Sequence, residues 1–206
     1  MLNFTSPIYV IRHGETDWNV EVRFQGAKNI DLNAKGRVQA RQNGEALARL
    51  LGEKATDLDY VSSPLARARD TMALMREAMR LPPDDYRIDE RLIEISFGDW
   101  EGQTLSELEK TSSEKIAERA ANKWSFLPPG EHAESYEILS WRVAAWLQSL
   151  EKPVVCVCHG GVIRTLFHLI AGLDGDEAAE ISTPQDQILK IEGDSMSWLP
   201  ANAYGV

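Results

Sequence analysis

The sequence predicts an α/β fold in which helices pack against a layered sheet. Two apolar runs, Ile8–Ile11 and Val154–Cys158, have the composition of buried strands, and the second is continuous, as in a central parallel strand. Stretches with helical apolar spacing separate the strands along the chain. Alternation of strands with helices is typical of a layered α/β domain.

The first strand is predicted at residues 8–12. Residues 13–32 are rich in polar side chains and are predicted to form a loop. A helix follows at about residues 34–52, with Asn33 as its N-cap and its apolar residues near one face.

A short second strand at residues 59–61 ends in two serines, Ser62 and Ser63. Pro64 suits the first turn of the next helix, which the proline pair 82–83 is predicted to close. Residues 86–88 form a candidate short strand. The helix carries an apolar stripe at three- and four-residue spacing, which we interpret as core: Leu65, Ala68, Met72, Met75 and Met79.

Residues 98–133 differ from the segments around them because they are polar and carry many charges. Thr104 and Glu107 form a capping box that opens a polar helix. Because this stretch is inserted between core elements, we predict that it forms a lid over the strand ends. Its lysines and glutamates are interpreted as a solvated face.

The C-terminal part returns to the alternation of helix and strand. A helix is predicted at about 134–150, the continuous apolar strand at 154–158, and another helix at about 161–172. Residues 188–191 and 196–199 flank a Gly-Asp pair and predict a final hairpin.

Composition narrows the class of protein. The chain has 206 residues, which predicts a single domain over residues 1–206, and its net charge of −10 disfavours binding to nucleic acid or to an anionic membrane. The N-terminus lacks the features of a signal peptide, and no stretch reaches the ~18 apolar residues of a membrane span. Cys156 and Cys158 lie in a predicted buried strand and are interpreted as core thiols, not as a disulfide or metal ligands. These features favour the cytoplasm, and a homodimer is left open.

The two strongest strands end alike, in Arg12-His13-Gly14 and in Cys158-His159-Gly160. Ligands bind beyond the carboxyl ends of strands in open α/β sheets. If the two strands are parallel, both imidazoles project from the same edge, and Arg67 can reach that edge from the first turn of its helix. Two histidines and two arginines would bind a group of charge near −2, and helix N-termini after the two glycines could add N–H donors.

Such a pocket suits phosphoryl transfer. A histidine among cations should favour its neutral form, which is a nucleophile, and no metal is required if cations surround the transferring oxygens. A leaving alkoxide needs a proton, for which Glu94 is the candidate. We expect the pKa of Glu94 to rise beside a bound phosphate, which would make it a usable general acid.

Four blocks of sequence carry a family resemblance: Arg12–Thr16 with Trp18–Asn19 and Arg23–Gly26; Ser63–Ala68; Leu92–Glu94 with Phe97–Gly102; and Cys158–Arg164. Together they closely resemble the histidine phosphatase superfamily, which includes the cofactor-dependent phosphoglycerate mutases. The resemblance implies a three-layer α/β/α sandwich with a mostly parallel central sheet and an inserted lid segment. It implies a metal-independent enzyme without a cofactor, acting on a small-molecule phosphomonoester.

The resemblance also implies roles for individual residues. His13 would be the nucleophile that becomes a phosphohistidine, and Glu94 would be the proton donor that later activates water. Phosphate binding falls to Arg12, Arg67 and His159, with Asn19 as an additional ligand. The remaining residues assigned to substrate binding are Gln25, Gly26 and Gly160.

Members of the family divide by what accepts the phosphoryl group. A mutase must exclude water and hold a second anionic group with extra basic residues. The segment after Glu94 has no basic pair, and the basic residues of the lid alternate with glutamates, which predicts no strong positive patch. The run Phe97–Gly102 resembles the phosphatase branch, including the broad-specificity and α-ribazole phosphatases. Hydrolysis is therefore preferred to the two alternatives, a phosphoglycerate mutase and a non-catalytic phosphate-binding protein.

Three other residues have side chains that could take part in the chemistry, and each has a plainer interpretation. His168 is interpreted as packing or a local hydrogen bond, His132 as part of a solvated loop, and Arg164 as structural. The lid also departs from the family's Pro-Gly-Gly-Glu-Ser pattern by an apparent two-residue insertion at Glu131–Ala133. The insertion leaves open which leaving group the enzyme prefers.

Overall fold

The computed structural model describes residues 6–201, and their order along the chain confirms the predicted alternation. The strands are β1 (Ile8–Arg12), β2 (Asp59–Ser62), β3 (Arg87–Ile88), β4 (Val154–Cys158), β5 (Gln187–Glu192) and β6 (Ser195–Pro200). The helices are α1 (Asp17–Val20), α2 (Ala34–Leu51), α3 (Ala66–Ala78), α4 (Leu105–Thr111), α5 (Ser113–Ala121), α6 (Tyr136–Gln148), α7 (Gly160–Ala171) and α8 (Gly175–Glu180).

The strands form a six-stranded, mixed sheet in the order β3-β2-β4-β1-β5-β6. Strands β1 to β4 are mutually parallel, whereas the predicted hairpin of β5 and β6 adds two antiparallel strands at one side. In the central pair, Ile8 lies opposite Val154 and Arg12 lies opposite Cys158. Because β1 and β4 are parallel and their last residues lie opposite each other, the residues that follow the two strands leave the sheet side by side.

Apolar side chains cover both faces of the sheet and give the three-layer architecture. One core joins alternate residues of β1 and β4, such as Val10 and Cys156, to the apolar faces of α6 and α7. The other joins Ile11 and Val157 to α2 and α3. Strands buried on both faces require the continuous apolar composition that predicted them.

The methionine stripe and the cysteines occupy the positions expected of core residues. Met72 and Met75 are fully buried in α3, and Met79 is nearly so. Cys156 and Cys158 are both buried free thiols on the same face of β4. The prediction that these side chains pack in the core is confirmed.

Several boundaries differ from the predictions. The predicted loop at 13–32 contains the short helix α1, which a Thr16–Asn19 capping box initiates. Pro64 lies before the helix it was expected to open, because Leu65 is still extended and α3 begins at Ala66.

Helix α3 also ends earlier than predicted, and α8 was not predicted. Met79 is its C-cap and Arg80 follows in a left-handed conformation, so the chain leaves the helix before the proline pair at 82–83. Helix α8 has only six residues, too few to show an apolar period, although the Asp174 side chain caps it by accepting from Asp176 N.

The lid segment contains α4 and α5 and has a small core of its own, made by Trp100, Leu108 and Phe126. The predicted capping box is present: Thr104 Oγ1 accepts from Glu107 N, and Glu107 Oε2 accepts from Thr104 N at 2.7 Å. Among residues 6–201, no helix combines the length and the apolar character needed to cross a bilayer.

Candidate active site

Two imidazoles meet at the carboxyl ends of the central strands. His13 donates its backbone N–H to Cys158 O at 3.0 Å, and the ring centroids of His13 and His159 are 5.1 Å apart. Both side chains are buried, with 2% and 0% of their surface exposed. The predicted convergence of the two strand ends is therefore confirmed.

The hydrogen bonds of His13 define which ring nitrogen can react. Nδ1 lies 2.8 Å from Gly14 O, and a carbonyl only accepts, so Nδ1 carries the proton. The lone pair of the neutral ring is then on Nε2, toward which Arg67 Nε donates at 3.2 Å. Burial lowers the pKa of His13 well below its usual value, and the charges of Arg67 and Arg12 lower it further. The predicted neutral form is supported, although burial contributes more than the neighbouring cations.

Arg67 is fixed in place by a loop that wraps its guanidinium. The side chain is fully buried, and it donates from Nη1 to Lys28 O at 2.6 Å and from Nη2 to Gly26 O at 2.8 Å. Gly26 has a φ of +52°, a conformation that favours glycine. Burial lowers the pKa of Arg67 to about 10, which leaves it charged at neutral pH.

Three buried polar atoms of the predicted site residues have no hydrogen-bond partner among the described residues. They are Arg12 Nε, His159 Nδ1 and Gln25 Oε1. Arg12 is otherwise held by its Nη1 bond to Thr183 O at 2.9 Å, and His159 Nε2 lies 2.7 Å from Ser63 Oγ. Buried donors are rarely left unpaired, so Arg12 Nε, whose side chain lines the cavity described below, is available to a ligand's oxygens.

Glu94 is oriented by backbone amides. Its two carboxylate oxygens accept from Gly161 N at 3.0 and 3.2 Å, and Oε1 also accepts from Ile95 N at 2.9 Å. A Cβ at Gly161 would collide with Glu94 Oε1, so glycine is required for this approach. The carboxylate is thus anchored at the start of α7, next to His159.

An arginine of α6 holds the backbone that carries Glu94. Arg142 donates to Arg91 O, Ile93 O and Glu94 O at 2.6–3.2 Å, and it forms a two-point ion pair with Glu134 at 2.8 and 2.9 Å. Glu134 Oε2 in turn accepts from Ser96 N. These five hydrogen bonds from one guanidinium fix the backbone segment that carries the Glu94 side chain. No local pattern in the sequence points to Arg142, because its partners are distant along the chain.

Replacement of Arg142 by glutamine is expected to lower kcat/KM for alkyl phosphates by roughly tenfold, because one misplaced proton donor costs at least that much. The loss should be smaller for p-nitrophenyl phosphate, which needs less proton donation. In a Glu94→Gln background the same change should have little further effect on alkyl phosphates. Arg87→Gln, at an exposed ion pair with Asp59 on the edge strand, is the matched control. Equal losses on both substrates would show that Arg142 only stabilises the fold.

These groups surround one cavity of about 360 Å³, within the range of small-molecule sites. His159 is buried and does not line the cavity, although its ring lies 5.1 Å from that of His13, which does. The other residues predicted for the site all line it: Arg12, His13, Asn19, Gln25, Gly26, Arg67, Glu94 and Gly160. Their predicted proximity is therefore confirmed, while their individual roles remain predictions.

Comparison with known proteins decides the family. The family model described as "Histidine phosphatase superfamily (branch 1)" matches residues 8–201. This chain is a member of that superfamily.

Relatives in the superfamily include both phosphatases and mutases. An uncharacterized phosphatase of Bacillus subtilis, PhoE, is 33% identical over 81% of this chain and 78% of its own length. The 2,3-bisphosphoglycerate-dependent phosphoglycerate mutase of Hamiltonella defensa is 28% identical over 96% and 90%. A mycobacterial glucosyl-3-phosphoglycerate phosphatase, solved with VO3, superposes with a TM-score of 0.75 at 28% identity, covering 95% of this chain and 97% of that one.

Two predicted features of this histidine phosphatase site are wrong. The first is the helix N-terminus that was expected to supply N–H donors after Gly14. The helix there, α1, has only four residues, and the Gly14 amide donates to Thr71 Oγ1 at 3.0 Å, so it does not point toward a bound anion. The lid does contribute positive charge to the cavity, since Arg119 and Lys123 line it together with Arg164. Arg119 lies in the last turn of α5 and Lys123 lies just after that helix.

The hydrogen bonds of Asn19 limit which of its side-chain atoms can bind a ligand. Its Oδ1 accepts from Thr16 and from Gln185 Nε2 at 3.1 Å, so that oxygen is committed within the protein. The Nδ2 amide of Asn19 makes no hydrogen bond in the described part of the chain. A ligand role for Asn19 would therefore use this nitrogen.

The two histidines outside the site behave as predicted. His132 is in an exposed turn of the lid, with 87% of its side chain accessible. His168 Nδ1 lies 2.8 Å from Leu173 O, and its ring packs against Trp124. Neither histidine lines the cavity.

Proposed function

We propose that this histidine phosphatase hydrolyses a small phosphomonoester through a phosphohistidine on His13. The observation that carries the proposal is the state of the His13 ring, whose Nδ1 is tied to Gly14 O while Nε2 faces Arg67 inside the cavity. A buried neutral imidazole held in one tautomer among fixed cations is prepared for attack on phosphorus.

The geometry supports a two-step reaction. Arg12 and Arg67 neutralise the charge of the phosphoryl oxygens, with the His159 imidazole beside them as a hydrogen-bonding group, while His13 Nε2 forms a bond to phosphorus and the ester P–O bond breaks. Protonated Glu94 gives its proton to the departing alkoxide. Its carboxylate then takes a proton from water, which attacks phosphorus and displaces His13 as inorganic phosphate forms. The ring ends neutral and Glu94 protonated, so the cycle closes.

Turnover of p-nitrophenyl phosphate is the direct test. We expect the native protein to release p-nitrophenol without added metal, because the cations of the cavity supply the charge neutralisation. The assay follows absorbance with and without a chelator. No turnover of this ester or of a panel of phosphomonoesters would favour a non-catalytic phosphate-binding protein.

A mutase is the second candidate, and the lid cations together with the mutase relative favour it. A mutase passes the phosphoryl group from histidine to a second substrate molecule and not to water. It would interconvert phosphoglycerates in a reaction that depends on a bisphosphoglycerate primer. Measurement of that interconversion beside phosphate release separates the two functions. The phosphatase relatives and the water-activating position of Glu94 support hydrolysis as the main activity.

We also propose that residues 1–206 act as one catalytic domain in the cytoplasm on a free metabolite, without nucleic acid or membrane. A homodimer is tested by light scattering of the purified protein. The physiological substrate would come from a screen of metabolite phosphates.

A further inference from the structure

A short segment between α8 and β5, residues 181–185, holds side chains of the site without lining the cavity itself. Two of its backbone oxygens accept from arginines of the cavity. Arg164 Nε donates to Ile181 O at 3.0 Å, and Arg12 Nη1 donates to Thr183 O at 2.9 Å. The segment therefore acts on a bound ligand through the residues that it holds.

The Gln185 side chain joins the backbone of the nucleophile His13 to the side chain of Asn19. Its Nε2 donates to His13 O at 3.0 Å and to Asn19 Oδ1 at 3.1 Å. Because a carbonyl oxygen only accepts, the Gln185 atom beside His13 O must be the nitrogen. The backbone N–H of Thr16 donates to Asn19 Oδ1 at 3.1 Å, which fixes the oxygen of that amide as well. Both amides are thus held in one orientation, with Asn19 Nδ2 left for a ligand.

Helix α1, which carries Asn19, has few restraints of its own. It has four residues, none of them buried, and its capping box joins Thr16 to Asn19 within the same turn. So short a helix is not stable by itself. The capping box therefore orients the Asn19 amide relative to α1, whereas the hydrogen bonds of Gln185 position that amide relative to His13.

The hydrogen bonds of Gln185 are anchored on the core of the protein. Gln185 O accepts from Asn43 Nδ2 at 3.0 Å, and Asn43 is fully buried in α2. The backbone of His13 is held independently, because its N–H donates to Cys158 O in the neighbouring strand. Loss of the Gln185 amide should therefore release Asn19 and leave His13 in place.

We propose that Gln185 is a positioning residue of the phosphate site, which docks α1 onto the end of β1 and so sets where the Asn19 amide meets the phosphoryl group. The inference rests on the proposed function, in which that group is bound beside His13. Gln185 lies outside the cavity lining and acts through Asn19. A hydrogen-bond donor is required at this position, since it faces two oxygen acceptors.

Binding of inorganic phosphate, measured by titration calorimetry, tests this role without requiring turnover. Gln185→Met keeps the length of the side chain and removes the donor. We expect it to raise the Kd of phosphate by roughly tenfold, as for one hydrogen bond to a charged group. Gln187→Met, a matched change in β5 outside the cavity, should leave the Kd unchanged. An unchanged Kd in folded Gln185→Met would overturn the proposal.

A double-mutant cycle separates positioning from a general loss of stability. Asn19→Ala should weaken phosphate binding by about the same factor as Gln185→Met, because both remove the placed amide. In the Asn19→Ala background, Gln185→Met should change the Kd by less than about twofold, since the residue that it positions is gone. Equal losses in both backgrounds would mean that Gln185 does not act through Asn19, and they would overturn the proposal.

The side-chain amide resonance of Asn19 provides a signature that a purely structural role would not give. It is identified as the amide pair missing from the proton–nitrogen correlation spectrum of Asn19→Ala. Saturation with phosphate should shift this pair in the native protein and should shift it much less in Gln185→Met. No shift in the native protein, or an equal shift in the variant, would overturn the proposal, and the first of these outcomes does not depend on the stability of any variant.

Turnover of p-nitrophenyl phosphate separates this inference from the proposed function. Turnover by the native protein, together with native phosphate binding in Gln185→Met, refutes the positioning role and leaves the phosphatase intact. Absence of all turnover, together with the expected loss of phosphate binding and its dependence on Asn19, refutes hydrolysis and supports the role of Gln185.

Discussion

His13→Ala is expected to abolish turnover, lowering kcat/KM by roughly 10³-fold or more, as when other nucleophiles are removed. The physical reason is that Nε2 is the atom that bonds to phosphorus, and no other described side chain places an unprotonated nitrogen at that point of the cavity. His159, the other buried imidazole, is held against Ser63 and does not line the cavity. The measurement is steady-state release of phosphate from p-nitrophenyl phosphate.

The covalent intermediate provides a second readout for the same variant. Protein quenched in alkali during turnover should carry one phosphoryl group on the His13 peptide, because phosphohistidine survives base and hydrolyses in acid. The alanine variant should carry none.

His132→Ala is the matched control for this experiment, since it removes an exposed histidine of the lid that lies outside the cavity. Thermal unfolding monitored by circular dichroism shows whether each variant is folded. Near-native turnover by folded His13→Ala would refute the nucleophile assignment.

The parts of the site that the sequence predicted are those set by short-range patterns. An apolar run followed by His-Gly specifies a buried strand and the residue at its end, and two such runs in a parallel sheet must end together. Arg67 is predictable for the same reason, since it lies in the first turn after β2. Each of these inferences needs only local composition and the direction of the strands.

The parts that could not be predicted depend on packing between distant segments. Arg142 matters because α6 packs beside the segment 91–96, a contact that no local pattern encodes. Arg119, in α5, and Lys123, just after it, belong to a segment that also carries glutamates, and only the docking of the lid onto α8 decides which of those charges face the cavity. The helix N-terminus expected after Gly14 was misjudged because only the four-residue α1 follows it, and the Gly14 amide itself donates to Thr71, far along the chain.

Glu94→Gln is expected to separate the two steps of the reaction. For alkyl phosphates, whose alkoxides leave poorly, kcat/KM should fall by roughly 10²–10⁴-fold, the usual contribution of a general acid. For p-nitrophenyl phosphate the first step should fall far less, since p-nitrophenolate leaves without a proton. The second step, hydrolysis of the phosphohistidine, should be slow in this variant with both substrates, because no carboxylate is left to activate water.

The two steps predict a distinctive time course for this variant. Rapid mixing of Glu94→Gln with p-nitrophenyl phosphate should give a burst of p-nitrophenol equal to the enzyme concentration, followed by slow turnover, with phosphohistidine accumulating in parallel. Glutamine keeps the shape of the side chain and one oxygen that can accept from Gly161 N, so the backbone around it should persist. Glu131→Gln, in the exposed part of the lid, is the control and should behave as the native enzyme. Equal losses on alkyl and aryl substrates without a burst would mean that Glu94 positions the substrate and transfers no proton.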